Sequence, residues 1–370
     1  MSKRGGIKTA IWVAILLIVV FMPQILRGNA YWITVIALLA INVLLVSSLR
    51  SITLINEISL GQVGFVVIGA YVHATLMMKG HVNFWASLII SALVAAFIAL
   101  ILAYPFLKVR GIYFSILTLL TAETFRLVAY YWTSMTGGSL GLTGVPGPGK
   151  VHIAGALVDF NKPGNYYYIA IGIVVIALLI LYYLERAYIS FPWRAIKDDN
   201  TLAGAVGINV IGYKMVNFVI AAFMAGLSGA VFASFQHNLS PDSTSRFGVT
   251  MSIYLLVYMV VGGKDYFVGP LLGTAVLTLL AEETRFMQEY QPMIIGAIAI
   301  LVMIFMPMGL VGLPRQIKSS WRTRKLTTLA AAEDARRPAT AAAGEATAVG
   351  AGAPATAPPA AAPSEKTGQG

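Results

Sequence analysis

The sequence predicts an all-α fold: a polytopic bundle of about ten transmembrane helices with a disordered C-terminal tail. Three observations carry that expectation. Hydrophobic residues fill 58% of the 370 positions, charged ones only 11%, and mean hydropathy is +0.78, which excludes an ordinary water-soluble domain. The apolar residues fall in runs close to the ~20 residues that a helix needs to cross a hydrocarbon core of about 30 Å. Lys and Arg gather at the ends of those runs, so the net charge of +11 marks loops rather than a nucleic-acid-binding face. A membrane β-barrel would show short alternating segments instead. Cysteine is absent, which removes disulfides, thiolate metal sites and cysteine catalysis.

Taken in order, Lys3, Arg4 and Lys8 precede a first span at Ala10–Leu26. Gly28-Asn29-Ala30 is small enough for signal-peptide cleavage, and the rest of the topology is the same whether or not that span is retained. The following runs are Tyr31–Leu49, Ile58–Met78, Phe84–Leu107, Gly111–Trp132 and Tyr166–Leu184, then Met215–Gln236, Val249–Val261, Gly269–Ala281 and Met293–Leu313. Val249–Val261 and Gly269–Ala281 are short for a full crossing and fit tilted, broken or re-entrant helices. Starting inside, alternate loops place Arg50, Lys108/Arg110, residues 186–214, Lys264 and the C-terminus on the cytoplasmic side. The other side receives Arg27, Lys79, the loop 133–165, Asp242/Arg246 and Glu282, Glu283 and Glu289. The densest positive clusters fall on the first side, so both termini are placed in the cytoplasm of a cell (inner or plasma) membrane. The permease domain therefore covers 1–314. Residues 315–370 open with a basic apron (Arg315, Lys318, Arg322, Arg324, Lys325) and continue as an Ala/Pro-rich segment unable to bury a core.

The polar break Glu185–Lys214 is the most informative stretch. An Arg or Asp at mid-bilayer costs about 2.5–3.5 kcal/mol on the insertion scale, so it stands in water. Pro192 suits a first helical turn through Lys197. Asp198, Asp199 and Asn200 offer N-caps for a second helix at Thr201–Val206, with Gly207 and Asn209 as left-handed stops. The two helices are expected to expose Phe191, Trp193, Ile196, Leu202 and Val206 among charges, an amphipathic knob with apolar anchors. Its chemistry suits a partner protein or the lipid headgroups equally.

Other motifs are weaker. Gly144-Val-Pro-Gly-Pro-Gly-Lys150 approaches a phosphate-binding loop, but Val151 stands where the magnesium-binding Ser or Thr belongs and no strand precedes it; a turn-rich external loop is the reading preferred. The chain itself is not expected to hydrolyse ATP, and no enzyme activity, cofactor or metal site is expected. Gly61, Gly64 and Gly69 on one segment and Gly226 and Gly229 on another suit close helix packing. Glu123 and Arg126, three apart in the fifth span, are either pathway residues or an internal ion pair. Asn42, Gln62, His73 and Asn217 complete the polar candidates for packing or pathway roles.

Six fragments in order resemble the permease subunits of branched-chain amino acid ABC transporters, the LivM type. They are Ile58-Ser-Leu-Gly61-Gln with Gly69-Ala-Tyr71; Tyr113-Phe-Ser-Ile-Leu-Thr-Leu through Glu123 and Arg126-Leu-Val128; and Thr136-Gly-Gly-Ser139 with Gly141-Leu142-Thr-Gly144. Next come Trp193-Arg-Ala-Ile-Lys197 through Ala205-Val-Gly207-Ile-Asn209 to Tyr213-Lys214, then Gly262-Gly263 with Gly269-Pro270, and Pro307-Met-Gly309-Leu-Val-Gly312. The chain departs from the pattern at Ile55-Asn56-Glu57, Lys264-Asp265-Tyr266 and Leu140. The resemblance implies a second permease, two ATP-binding-cassette subunits on the cytosolic side and an external solute-binding protein as partners. It implies Trp193, Arg194, Ala195, Ile196, Ala205, Gly207 and Ile208 as the ATPase-coupling loop, with Arg194 ion-paired to the motor. Leucine, isoleucine and valine are the expected cargo, with urea, short amides or other amino acids as alternatives. An ion-coupled secondary transporter using Glu123 is the competing class.

Overall fold

The computed structural model describes residues 30–153, 156–159, 163–242, 246–284, 290–306 and 309–312. The first expected span and the tail from 313 lie outside these residues. Twelve α-helices are found among the described residues. Helices α1 (Ala30–Thr53), α2 (Gln62–Met78), α3 (Phe84–Leu107) and α4 (Ile112–Tyr131) follow closely. A short α5 (Thr133–Thr136) opens a loop that carries strands β1 (Leu142–Thr143), β2 (Lys150–Ile153) and β3 (Ala156–Asp159). Then come α6 (Pro163–Leu184), α7 (Ser190–Asp198), α8 (Asn200–Ala205), α9 (Val210–Gln236), β4 (Asn238–Leu239), α10 (Val249–Gly262), α11 (Gly269–Glu283) and α12 (Gln291–Phe305).

Among the described residues, six helical stretches are long and apolar enough to cross a membrane; α2 and α10 are shorter apolar helices. Several boundaries differ from the sequence reading by a few residues, and two of them bear on the site. Residues Ile58–Gly61 form loop, so α2 starts at Gln62, while α9 begins at Val210, five residues before the apolar run. The α9 extension is started by Asn209, whose Oδ1 accepts the Gly212 N–H at 3.0 Å. Asn209 is therefore an N-cap and not the left-handed stop expected of it. Gly207 alone, at φ +88°, takes that conformation after α8.

Bundle packing follows from residue size. On α3, Ala92, Ala95, Ala96, Ala99 and Ala103 are buried, while Leu93, Phe97, Leu100, Ile101 and Tyr104 face outward. Small residues inside and large apolar ones outside is the arrangement expected where lipid gives no hydrophobic drive and helices must gain by close approach. The buried axis is α9, which packs against α2, α3 and α1. At its crossing with α2, a side chain on Gly69 would overlap the Gly226 carbonyl, and one on Gly229 the Val66 carbonyl. Phe218 is fully buried and meets the rings of Phe65, Phe106 and Phe114, fastening α9 to α2, α3 and α4.

The loops sort into two groups at opposite ends, as the alternating charge pattern requires. At one end Arg50 pairs with Glu185, Lys197 with Asp265 and Lys214 with Glu57. At the other, Lys79 donates to the Ser134 and Met135 carbonyls, Tyr31 donates to Glu282, and β1 pairs antiparallel with β4.

Candidate functional site

The first group of loops holds the candidate coupling element. Helix α7 starts at Ser190 and ends in a break at Asp199, which is extended (φ −155°, ψ 116°). The Asp199 carboxylate accepts the N–H groups of Thr201 at 2.6 Å and Leu202 at 3.1 Å, capping α8. Those two hydrogen bonds favour the ionised form and hold its pKa below the ordinary aspartate value.

Burial divides the knob. Trp193 is 2% exposed and Ile196 is fully buried, whereas Phe191, Leu202 and Val206 are 61%, 67% and 76% exposed. The sequence reading had all five outward, and for Trp193 and Ile196 this is a correction. Ser190, Trp193 and Ile196 recur every three residues, so they share the face that α7 lays on the bundle. Trp193 fixes it there by donating Nε1–H to the Tyr213 carbonyl at 2.9 Å. Both are anchors of the element, not free contact surface. Ala195 and Ile208 are half-buried, and Ala205 and Gly207 are exposed. Arg194 is exposed and donates to the Glu185 carbonyl at 3.3 Å.

Ion pairs tie this element to the bundle. Lys214 Nζ lies 2.7 Å from Glu57 Oε1, with both side chains buried. Removing one partner of such a pair leaves an uncompensated buried charge and costs about 3–5 kcal/mol. Lys197 Nζ lies 2.7 Å from Asp265 Oδ1, with both side chains substantially exposed. The Lys197 hydrogen bond is the main reason the Asp265 carboxyl is held below its usual pKa, with charge from Lys197, Lys264 and Arg50 adding to it. Arg50 pairs with Glu185 and sits 5.6 Å from the Phe267 ring centre. These partners were missed in the sequence, although Glu57 and Asp265 both fall in the stretches that depart from the family pattern.

The pathway and packing candidates scatter through the bundle. Gly61 and Gly64 leave room only for α4, at Thr118 and Ala122, and Gly69 only for α9. His73 is fully buried and satisfied: Nε2 lies 2.8 Å from Ser234 Oγ and Nδ1 3.0 Å from Ser87 Oγ, which joins α2, α9 and α3. Arg126 Nε lies 3.0 Å from both Glu123 oxygens, and its Nη1 donates to the Pro241 carbonyl at 2.7 Å. Asn42 accepts from Arg246 at 3.2 Å, a contact across 204 residues that no local pattern announces. The buried Gln62 amide and Asn217 Oδ1 meet no hydrogen-bonding partner among the described residues. The glycine-rich loop 144–150 leads into strand β2, not into the helix that a phosphate-binding loop requires.

The model of the family described as the branched-chain amino acid transport system permease component matches residues 25–306. The chain belongs to this family. It is 30% identical over 274 residues to the high-affinity branched-chain amino acid transport system permease protein LivM of Escherichia coli K12, a match covering 69% of this chain. The chain spans 64% of that relative's length. It is 26% identical over 262 residues to LivH of Salmonella typhimurium, covering 67% of this chain and 83% of the relative. A nucleoside ABC transporter permease, NupC of Lactococcus lactis subsp. cremoris, is 22% identical over 235 residues, covering 60% of this chain and 71% of that protein. No solved structure matches. Family membership and the apolar helices together make this branched-chain permease relative a multi-pass membrane protein.

Proposed function

We propose that the chain is the permease subunit of an ATP-driven importer of leucine, isoleucine and valine, in the cytoplasmic (inner) membrane with both termini in the cytosol. It forms the translocation pathway with a second permease, takes substrate from an external solute-binding protein and is driven by two separate ATPase subunits. The observation that carries this reading is the α7–α8 pair. Two short helices stand between long apolar ones, held by Trp193 and Ile196 and followed by the buried Lys214–Glu57 pair, yet offer Phe191, Leu202 and Val206 to solvent. A rigid platform with apolar contacts suits a motor protein better than a mobile loop would, because little ordering entropy is lost on docking. Arg194, Ala195, Ala205, Gly207 and Ile208 border that face. Glu123 with Arg126, and Gln62, whose amide meets no hydrogen-bonding partner among the described residues, are the pathway candidates. Residues 315–370 serve as a basic cytosolic tail outside the transport domain 1–314.

Relatives named for branched-chain amino acids support the cargo, while the nucleoside permease among them supports a second reading in which the same machinery carries a different small polar solute. Reconstitution of the chain with its partner subunits tests both. ATP- and binding-protein-dependent uptake of labelled leucine, competed by isoleucine and valine but not by nucleosides, urea or short amides, is the expected result. Gradient-driven uptake by the chain alone, without ATPase, overturns the proposal in favour of an ion-coupled carrier.

A further inference from the structure

We propose that the coupling segment is a lever with one fixed and one releasable ion pair. Lys214–Glu57 fixes its α9 end in the bundle, and Lys197–Asp265 is a catch that joins α7 to the α10–α11 hairpin and opens during transport. The proposal rests on the ATP-driven permease reading above.

The two pairs have the same 2.7 Å separation and opposite surroundings. Glu57 and Lys214 side chains are buried, so neither can leave the other without stranding a charge. Lys197 and Asp265 both reach water, so that pair can part with hydration replacing it. What the catch holds is a stiff unit. Gly262 and Gly273 have no room for a side chain because α10 and α11 touch backbone to backbone, and Gly269 is pressed equally against Gly263. A pull on Asp265, in the turn between them, therefore moves both helices together. What carries the catch is the C-terminal end of α7, where the helix gives way to the extended Asp199. Lys197 occupies the last turn of α7, one turn past the Trp193 bond to Tyr213. It borders two cavities of about 330 Å³ and 310 Å³, the first shared with Asn56 and Lys264, the second with Arg50 and Glu185. Both clefts give the Lys197 side chain room to swing away from Asp265 while Trp193 and Ile196 keep α7 seated. Lys197 and Asp265 are thus positioning residues, transmitting motion to α10–α11 without touching substrate or nucleotide.

The test uses the complete transporter in vesicles, scored as leucine taken up per ATP hydrolysed. Asp265→Asn and Lys197→Gln are each expected to lower that ratio about threefold, the scale that an exposed pair supports. The double exchange Lys197→Asp with Asp265→Lys is expected to restore it. A short reducible bis-methanethiosulfonate cross-link between Lys197→Cys and Asp265→Cys is expected to stop uptake, with reductant restoring it. Unchanged ratios in both single variants, failure of the charge exchange to rescue, or full transport by the cross-linked pair each overturn the catch. Uptake by the unaltered transporter that needs no ATP fails the underlying reading instead, and is seen before any variant is made.

Discussion

Gly207 shows how one residue can decide an element. It sits at φ +88° with open space where a Cβ would project, so the cost of replacing it is conformational, about 1–2 kcal/mol, and not steric. Gly207→Val should undo the turn between α8 and the Asn209 cap and abolish uptake, measured in vesicles, while membrane insertion stays normal. Gly207→Asn, which tolerates the left-handed region, should retain most activity; uptake by the valine variant at the unaltered rate would remove Gly207 from the mechanism. Glu57 is a second case. Glu57→Gln leaves the Lys214 ammonium buried without its counter-charge, and thermal unfolding in detergent should reveal a loss of about 3–5 kcal/mol. Pairing it with Lys214→Met should recover much of that loss, and a double variant as unstable as the single would show that the pair is not what matters. Neither partner announces the other in the sequence, since 157 residues separate them.

At the scale of elements, the coupling helices separate anchoring from contact. Trp193→Ala removes a buried ring and should destabilise the bundle by about 3–5 kcal/mol. Phe191→Asp, Leu202→Asp and Val206→Asp alter only exposed side chains and should leave unfolding of the permease within about 0.5 kcal/mol of the unaltered protein. They should nonetheless abolish co-purification of the ATPase subunits. If the ATPases still co-purify with the triple variant, docking lies elsewhere. The signal for this division was present in the sequence as the three-residue spacing of Ser190, Trp193 and Ile196. A nine-residue helix with apolar residues on more than one face gives that spacing little weight until the platform beneath it is known.

For the whole molecule, the grouping of loops at two ends follows from alternating charge, and it makes sidedness testable. A membrane-impermeant label added to sealed intact cells should reach an engineered cysteine in 133–149 and miss one at Ala205; labelling at Ala205 would invert the proposed orientation. Deleting residues 333–370 should leave uptake unchanged, because that composition has too few large apolar residues to build a packed unit. A large loss of transport would assign the tail a role.

The sequence by itself determined where the apolar helices run, that Val249–Val261 is short, how their loops alternate, and that a polar helical pair interrupts them. All of these are local properties, set by hydropathy, capping chemistry and charge within a few residues. That α2 is short as well emerged only from the fold. Tertiary structure alone decided which face of α7 is buried. It also decided that Asn209 starts a helix, and that Lys214, Lys197 and Arg246 meet Glu57, Asp265 and Asn42. Those pairings depend on which helices stand side by side once the bundle closes around α9, and chain separations of 68 to 204 residues carry no local trace of that.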